Sequence, residues 1–317
     1  MFLRSSEHNR HIALTSLLLA VVFSNSQPVF SKLLYAQGWT PVSLYFLALL
    51  VVTVFLGIHE FLEWAEQGRW DMARSDIRGT LFTTVTGGVM SPILYFTGLE
   101  LVQASDAVLI ASFTPVFTVL FAVMMLGERF NKATIIGGSF LIAGLGVLIW
   151  TDVWNATFTI GSMYLLGASI TSALTTILHK KYVTHRHIDS IVFVRTSLSL
   201  LIIGLWVAIA EPQSFGLFIA PQNVLLVFGF PLIGVLLPFF FFFGALRTLK
   251  AMDVGLVSGI GPIAGMLLAA TFLKEQIAPV QVISLICIIL GILNINVPLT
   301  KWRIVPSRLV GMGPLRK

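Results

Sequence analysis

Two stretches of this 317-residue chain repeat one another 147 positions apart, and both lie in apolar sequence. Asp106, Pro115, Glu128 and Gly144 recur as Asp253, Pro262, Glu275 and Gly291. The flanks correspond as well: Ala104-Ser105-Asp106-Ala107-Val108-Leu109 matches Ala251-Met252-Asp253-Val254-Gly255-Leu256. A duplicated half constrains the fold before any local propensity does, because each copy must build the same supersecondary unit. In a membrane chain, two such copies point to a substrate site near the bilayer midplane, between the repeats.

Charged residues make up only 11% of the chain and hydrophobic ones 56%. Soluble domains carry about 25% charged residues, so too few charges remain to coat a water-facing surface. Apolar runs reach the roughly 20 residues that cross a bilayer as a helix. The sequence predicts an all-α integral membrane protein with ten transmembrane helices. Their approximate cores are 12–34, 41–62, 79–99, 106–126, 133–150, 160–179, 189–210, 222–246, 254–273 and 278–298. Arg4 and Arg10 precede the first run, as in a signal peptide, but the run is longer than a signal's apolar region and is read as a retained span. The loop from Glu63 to Ile77 mixes charges with Trp64 and Trp70, as expected at headgroup depth. The lone Cys287 has no partner for a disulfide within the chain.

The formal charge of +6 does not imply a nucleic-acid partner, because the basic residues sit in short loops between apolar runs. Place the N-terminus in the cytoplasm, and 17 of the 20 Lys and Arg residues fall on that side; the exceptions are Lys32, Arg195 and Lys274. The positive-inside rule then puts both termini in the cytoplasm. Five spans per copy is an odd number, so the second copy starts on the opposite side from the first. The repeats, residues 1–150 and 151–300, are expected to be inverted, followed by a basic cytoplasmic tail at 301–317.

Pro115 and Pro262 fall inside spans four and nine. Proline removes a helix hydrogen bond and clashes with the preceding turn, which frees the carbonyls of Ala111 and Ser258. A freed carbonyl in hydrocarbon needs a protein partner or a water-filled cavity. Thr114-Pro115 and Ser258 to Pro262 are therefore candidate cavity walls, the alternative being a static packed kink. Span one holds the polar cluster Ser24-Asn25-Ser26-Gln27-Pro28. Asn25, Ser26 and Gln27 need partners there, which a substrate cavity or a neighbouring helix can supply. Arg195 lies about 9 Å into the bilayer, taking 1.5 Å per residue from Asp189. It either snorkels to the headgroups or faces a pathway and binds a substrate charge. Its counterpart 147 positions earlier is the neutral Ala48. Lys32, near the outer face, carries the same two readings. Asp106 and Asp253 stand where a carboxylate caps a helix N-terminus, with proton coupling at Asp106 as the lesser reading. Glu128 and Glu275 are expected to cap or staple the following hairpins.

No phosphate-binding glycine loop exists, no His/Cys cluster suggests a metal, and no acidic residue falls in the central part of a span. No cofactor or metal is expected. Paired titratable groups at one depth, which an integral-membrane enzyme needs, are not found.

The segments Leu246-Arg247-Thr248-Leu249-Lys250-Ala251-Met252-Asp253 through Pro262 to Lys274-Glu275, and Leu99 to Glu128, resemble the EamA repeat of the drug/metabolite transporter superfamily. The resemblance covers nearly the whole chain. It departs from the family at Ala48, where members often carry arginine, and at Phe23-Ser24, where an aromatic–glycine pair is usual. The resemblance implies a multi-pass protein of the bacterial inner membrane that exports small metabolites such as amino acids by alternating access. Its partners would then be a small-molecule substrate and the lipid bilayer. A sugar-nucleotide or phosphate-ester carrier is the alternative, and would want more basic residues in the cavity; an enzyme or scaffold ranks below both.

Inversion has a direct test. In a Cys287→Ser background, a cysteine replacing Gln103 is expected to react with an impermeant thiol reagent from outside, and one replacing Lys250 only from inside. Reaction of both from one side removes the inverted topology.

Overall fold

A computed structural model describes residues 10–67, 76–127, 132–152, 156–182, 188–219, 224–246, 249, 257 and 259–296. Every regular element among them is helical. The order is α1 (Arg10–Ser24), α2 (Gln27–Tyr35), α3 (Pro41–Gln67), α4 (Asp76–Thr83), α5 (Ser91–Leu101), α6 (Ala104–Ala111), α7 (Thr114–Leu126) and α8 (Lys132–Asp152). There follow α9 (Ala156–Tyr182), α10 (Ile188–Ala210), α11 (Ser214–Ile219), α12 (Val224–Pro231), α13 (Leu237–Leu246), α14 (Gly261–Leu268) and α15 (Pro279–Asn296). π-Helical segments at Thr84–Met90, Leu232–Leu236 and Ala269–Leu273 join α4 to α5, join α12 to α13 and extend α14.

Seven of these helical runs are long and apolar enough to cross a membrane: Ile12–Tyr35, Pro41–Leu62, Ala104–Leu126, Lys132–Trp150, Thr159–Tyr182, Ser190–Ala210 and Val224–Phe242. Gly261–Leu273 and Pro279–Ile295 are shorter apolar helices. The outer surface is apolar too: Leu225 is 85% exposed, Trp150 81% and Ile209 73%. Water would not tolerate so many bare apolar side chains, and a bilayer does.

The duplication reappears in the backbone. α6 ends at a turn over Ser112 and Phe113, and α14 is preceded by a turn over Gly259 and Ile260, again 147 positions on. Gly127 closes α7 in the left-handed conformation at φ 70°, and its counterpart Lys274 does the same at φ 58°. The π-helical segment Leu232–Leu236 falls within Thr84–Met90 when shifted by the same interval. Packing follows suit. α3 lies on α10 and α8 on α15, so each of these helices meets its own counterpart, while α1 lies on α13 and α5 on α9. Exchanging the repeats turns the last two pairs into one another. That is the contact pattern of a two-fold relation between the halves.

The prolines differ from the kink that their positions predict. Pro115 and Pro262 stand in the first turns of α7 and α14, where a missing N–H costs nothing. The chain breaks before them and starts a new helix, rather than bending one through the proline.

α8 and α15 approach closely because both carry glycine at the crossing. A Cβ on Gly137 would lie 2.7 Å from the Gly291 carbonyl, and one on Gly291 would lie 2.8 Å from the Gly137 carbonyl. Asn294 Nδ2 then donates to the Ala133 carbonyl at 3.2 Å. Gly291→Leu is expected to cost about 1–3 kcal/mol by overpacking, read as a lower melting temperature in detergent. Gly138→Ala, on the same helix but with open space beyond its Cα, is expected to leave the melting temperature unchanged or to raise it.

Candidate central cavity

A cavity of about 360 Å³ opens between the two halves. Its wall combines Gln27 of α2, Tyr45 and Ala48 of α3, Ser91, Pro92, Tyr95 and Phe96 of α5, and Ala111 and Thr114 at the α6–α7 break. Ala168, Ser169 and Ser172 of α9 and Val235 of the second π-helical segment complete it. Among the described residues, no wall residue is charged. Hydroxyls, phenols and one amide dominate its polar groups. A second cavity, of about 400 Å³, lies beside it and shares Val235; Ser24, Asn25, Gly234, Pro238, Phe239 and Phe242 line it.

The polar cluster of span one is a helix break. Ser24 Oγ and Asn25 Nδ2 donate to the Val21 carbonyl at 3.0 and 2.8 Å, and Ser26 Oγ donates to the Phe23 carbonyl at 2.6 Å. These side chains add a second donor to carbonyls that also accept the Asn25 and Ser26 N–H groups at 3.2 and 3.0 Å, so the polar side chains of the break are themselves satisfied, as hydrocarbon requires. The break turns Gln27 toward the first cavity and Asn25 toward the second. Asn25 also packs on the small-residue face of α14: Cβ atoms on Gly261 and Gly265 would lie 3.0 and 3.1 Å from its amide. Ser26 lines neither cavity. At the α6–α7 break Thr114 Oγ1 donates to the Ala111 carbonyl at 2.8 Å, so the freed carbonyl expected there is met by the adjacent hydroxyl. Thr114 lines the first cavity; Pro115 and Pro262 line neither, and Pro262 is buried. Ser258, Asp253 and Glu128 lie outside the described residues.

Arg195 stands on α10 opposite the first π-helical segment. Its Nε is sealed from solvent without a hydrogen-bond partner, although the residue as a whole is only half-buried. Tyr45 is its electrostatic neighbour. The Tyr45 hydroxyl donates to the Gly88 carbonyl at 2.6 Å. Gly88 leaves no room for a Cβ against Ser199, whose hydroxyl donates to the Arg195 carbonyl at 2.8 Å. π-Helical insertions recur at functional sites, and here one aligns Tyr45, Gly88 and Arg195.

Lys32 is engaged elsewhere. Its Nζ donates to the Glu100 carbonyl at 3.0 Å. Glu275 crosses from the second repeat to the first. Its carboxylate accepts from the Ala104 N–H at 2.7 Å, the Ser105 N–H at 3.0 Å and the Ser105 hydroxyl at 2.7 Å. It therefore caps α6, a helix of the other half, rather than its own hairpin. Asp106, expected as that cap, accepts from Gln281 Nε2 at 2.6 Å. A second cross-repeat tie joins the Thr40 hydroxyl to the Glu211 carboxylate, and a third joins the Ser190 hydroxyl to Glu60 Oε2 at 2.8 Å. Among the described residues, no group of three or more His, Cys, Asp or Glu side chains is placed to hold a metal.

Sequence reasoning missed Tyr45, Ser91, Tyr95, Ser169, Ser172 and Gln281. Ser169 and Ser172 carried a signal: with Thr176 they make a hydroxyl stripe at helical spacing inside an apolar run. The tyrosines carried none, because an aromatic in a span packs in a core as often as it lines a cavity.

The model of the EamA-like transporter family matches twice, over residues 11–150 and 159–297. The chain belongs to the EamA-like transporter family. Its two matched regions start 148 and end 147 residues apart, close to the interval of the sequence repeat. The chain is 25% identical over 290 residues to the uncharacterized transporter YetK of Bacillus subtilis, covering 88% of this chain and 85% of that one. An uncharacterized transporter of Synechocystis sp. is 22% identical over 295 residues, 86% of this chain and 83% of its own. A solved crystal structure superposes with a TM-score of 0.62 over 93% of this chain and 100% of its own, at 17% identity, which supports the fold alone. This EamA-like protein is a multi-pass membrane transporter.

Glu275→Ala strips two leading N–H groups of α6 of their acceptor. An unmet buried donor costs about 1–3 kcal/mol, so a clear fall in melting temperature is expected. Asp106→Asn keeps an acceptor for Gln281 and is expected to melt near the native temperature. Equal melting of Glu275→Ala and native protein removes the cross-repeat cap.

Proposed function

We propose that this transporter is a secondary, non-ATP carrier that exports small metabolites such as amino acids by alternating access. In this reading ten spans form two inverted five-helix repeats in the bacterial inner membrane, with both termini in the cytoplasm. The observation that carries it is the uncharged polar cavity between the halves, walled by helices of both and bordered by the breaks at Ser24–Ser26 and Ser112–Phe113. Broken helices around a midplane cavity present backbone and hydroxyl groups to a substrate.

Gln27 and Thr114 would meet the substrate directly. Asn25 would line the neighbouring chamber, Arg195 would supply charge, and the segments opened by Pro115 and Pro262 would move. Ser258 takes the equivalent post in the second repeat by the 147-residue interval. Positive-inside counting puts the Glu275 tie, Lys32 and the Thr40–Glu211 tie together at the outer end. Those contacts would hold the outer side shut in the state described, and their release would open it. The uncharged cavity wall disfavours a sugar-nucleotide or phosphate-ester carrier.

Purified protein in proteoliposomes loaded with a panel of labelled amino acids and organic acids is expected to show saturable flux of at least one. A proton gradient is then imposed to detect coupling. Correctly inserted protein that moves nothing from the panel faster than empty liposomes would falsify the carrier reading for these classes.

A further inference from the structure

Arg195 is a cation within a membrane span whose Nε has no hydrogen-bond partner. Tyr45, which lines the cavity, bonds Gly88, and Arg195 Cγ lies 3.8 Å from where a Cβ on Gly88 would sit. An ionised side chain is tolerated at such depth when it is paired or serves a pathway. Lys32 has a partner inside the protein: its Nζ donates to the Glu100 carbonyl at 3.0 Å. Arg195 lacks that arrangement, and the side chain keeps accessible surface.

Its surroundings hold it in place. Ser199 anchors the backbone of Arg195 through its carbonyl at 2.8 Å. The Tyr45 hydroxyl is committed as donor to the Gly88 carbonyl at 2.6 Å, which leaves the phenol oxygen unable to spend the same proton on an anion. The guanidinium is the donor that remains. Tyr45 lines the first cavity, and so does Ala48, the counterpart of Arg195 in the other repeat. Arg195 itself is not part of that wall; it stands behind Tyr45 and Gly88.

We infer that Arg195, beside Tyr45 and Gly88, is an anion subsite bordering the cavity and takes the single carboxylate of a small monocarboxylate substrate. The inference rests on the transporter reading above and narrows its substrate class. One planar fork of donors matches one carboxylate. The described cavity wall is uncharged, so it offers hydroxyl and amide partners to an uncharged or weakly polar remainder. A second negative charge, as on a phosphate ester, would have no cation to meet it. A purely cationic substrate would have no carboxylate.

The test pairs acids with neutral analogues. Lactate against lactamide, and butyrate against butyramide, are added to the full-length protein in detergent, with sodium chloride and glycerol 3-phosphate as a simple anion and a dianion. Ligand that binds the folded state raises the melting temperature. At least one of the two acids is expected to raise it and its neutral analogue not to. Arg195→Lys, which keeps the charge and loses the fork, is expected to bind that acid about tenfold more weakly, and Arg195→Gln to lose the response. No stabilisation by either acid overturns the subsite, as does an equal response to acid and neutral analogue. Equal responses to chloride and acid, or a stronger one to glycerol 3-phosphate, also overturn it. Arg195→Lys responding as the native protein does leaves a point charge and rejects the fork. The same compounds are then offered to proteoliposomes. Acid that binds through Arg195 but is not carried leaves the subsite standing and sinks the transport reading; flux of neutral compounds that ignores Arg195→Lys does the reverse.

Discussion

Hydrocarbon offers no water to an unpaired peptide group, and this structure is arranged around that constraint. Continuous helices meet it automatically. The chain nonetheless interrupts its helices at Ser24–Ser26, Ser112–Phe113 and Gly259–Ile260. At the first break Ser24, Asn25 and Ser26 spend their side chains on the Val21 and Phe23 carbonyls, and at the second Thr114 meets the Ala111 carbonyl. At the start of α6 the acceptor comes from the other repeat, through Glu275. The sites with irregular backbone border the cavities or tie the halves together, so the requirement for satisfaction places function and architecture at the same points.

A two-fold frame carries a site that is not two-fold. Left-handed caps at Gly127 and Lys274, and paired π-helical segments, preserve the repeat in backbone geometry. Side chains break it where chemistry is wanted. Ala48 and Arg195 are counterparts, one a small wall residue and the other a cation. Thr114 supplies a hydroxyl where its counterpart Gly261 supplies a bare backbone for Asn25 to pack upon. A transporter of an asymmetric small molecule needs such differences within a shared frame.

Sequence-level reading succeeded with the repeat interval because Asp, Pro, Glu and Gly stand out against apolar neighbours. It found the span-one cluster and Thr114 by the same contrast. It misjudged Pro115 and Pro262 because a proline inside an apolar run looks alike whether it bends a helix or opens one; only the preceding two residues' backbone decides. Glu275 was read as serving its own hairpin because the donors it meets lie some 170 residues away in sequence. No local pattern announces a partner at that distance.

By itself the sequence determined that this chain is an α-helical membrane protein built from two copies of one unit. Composition and a fixed interval survive any arrangement in space. The tertiary structure decided which polar groups face a common cavity, which are consumed by neighbouring carbonyls, and which charge is left without a partner. Lys32 and Arg195 look equivalent in sequence, as single cations in apolar runs. Packing gives Lys32 a carbonyl acceptor and sets Arg195 near a phenol already committed to Gly88. The difference arises because hydrogen-bond satisfaction depends on atoms brought together from distant helices, and that information exists only after the helices have packed.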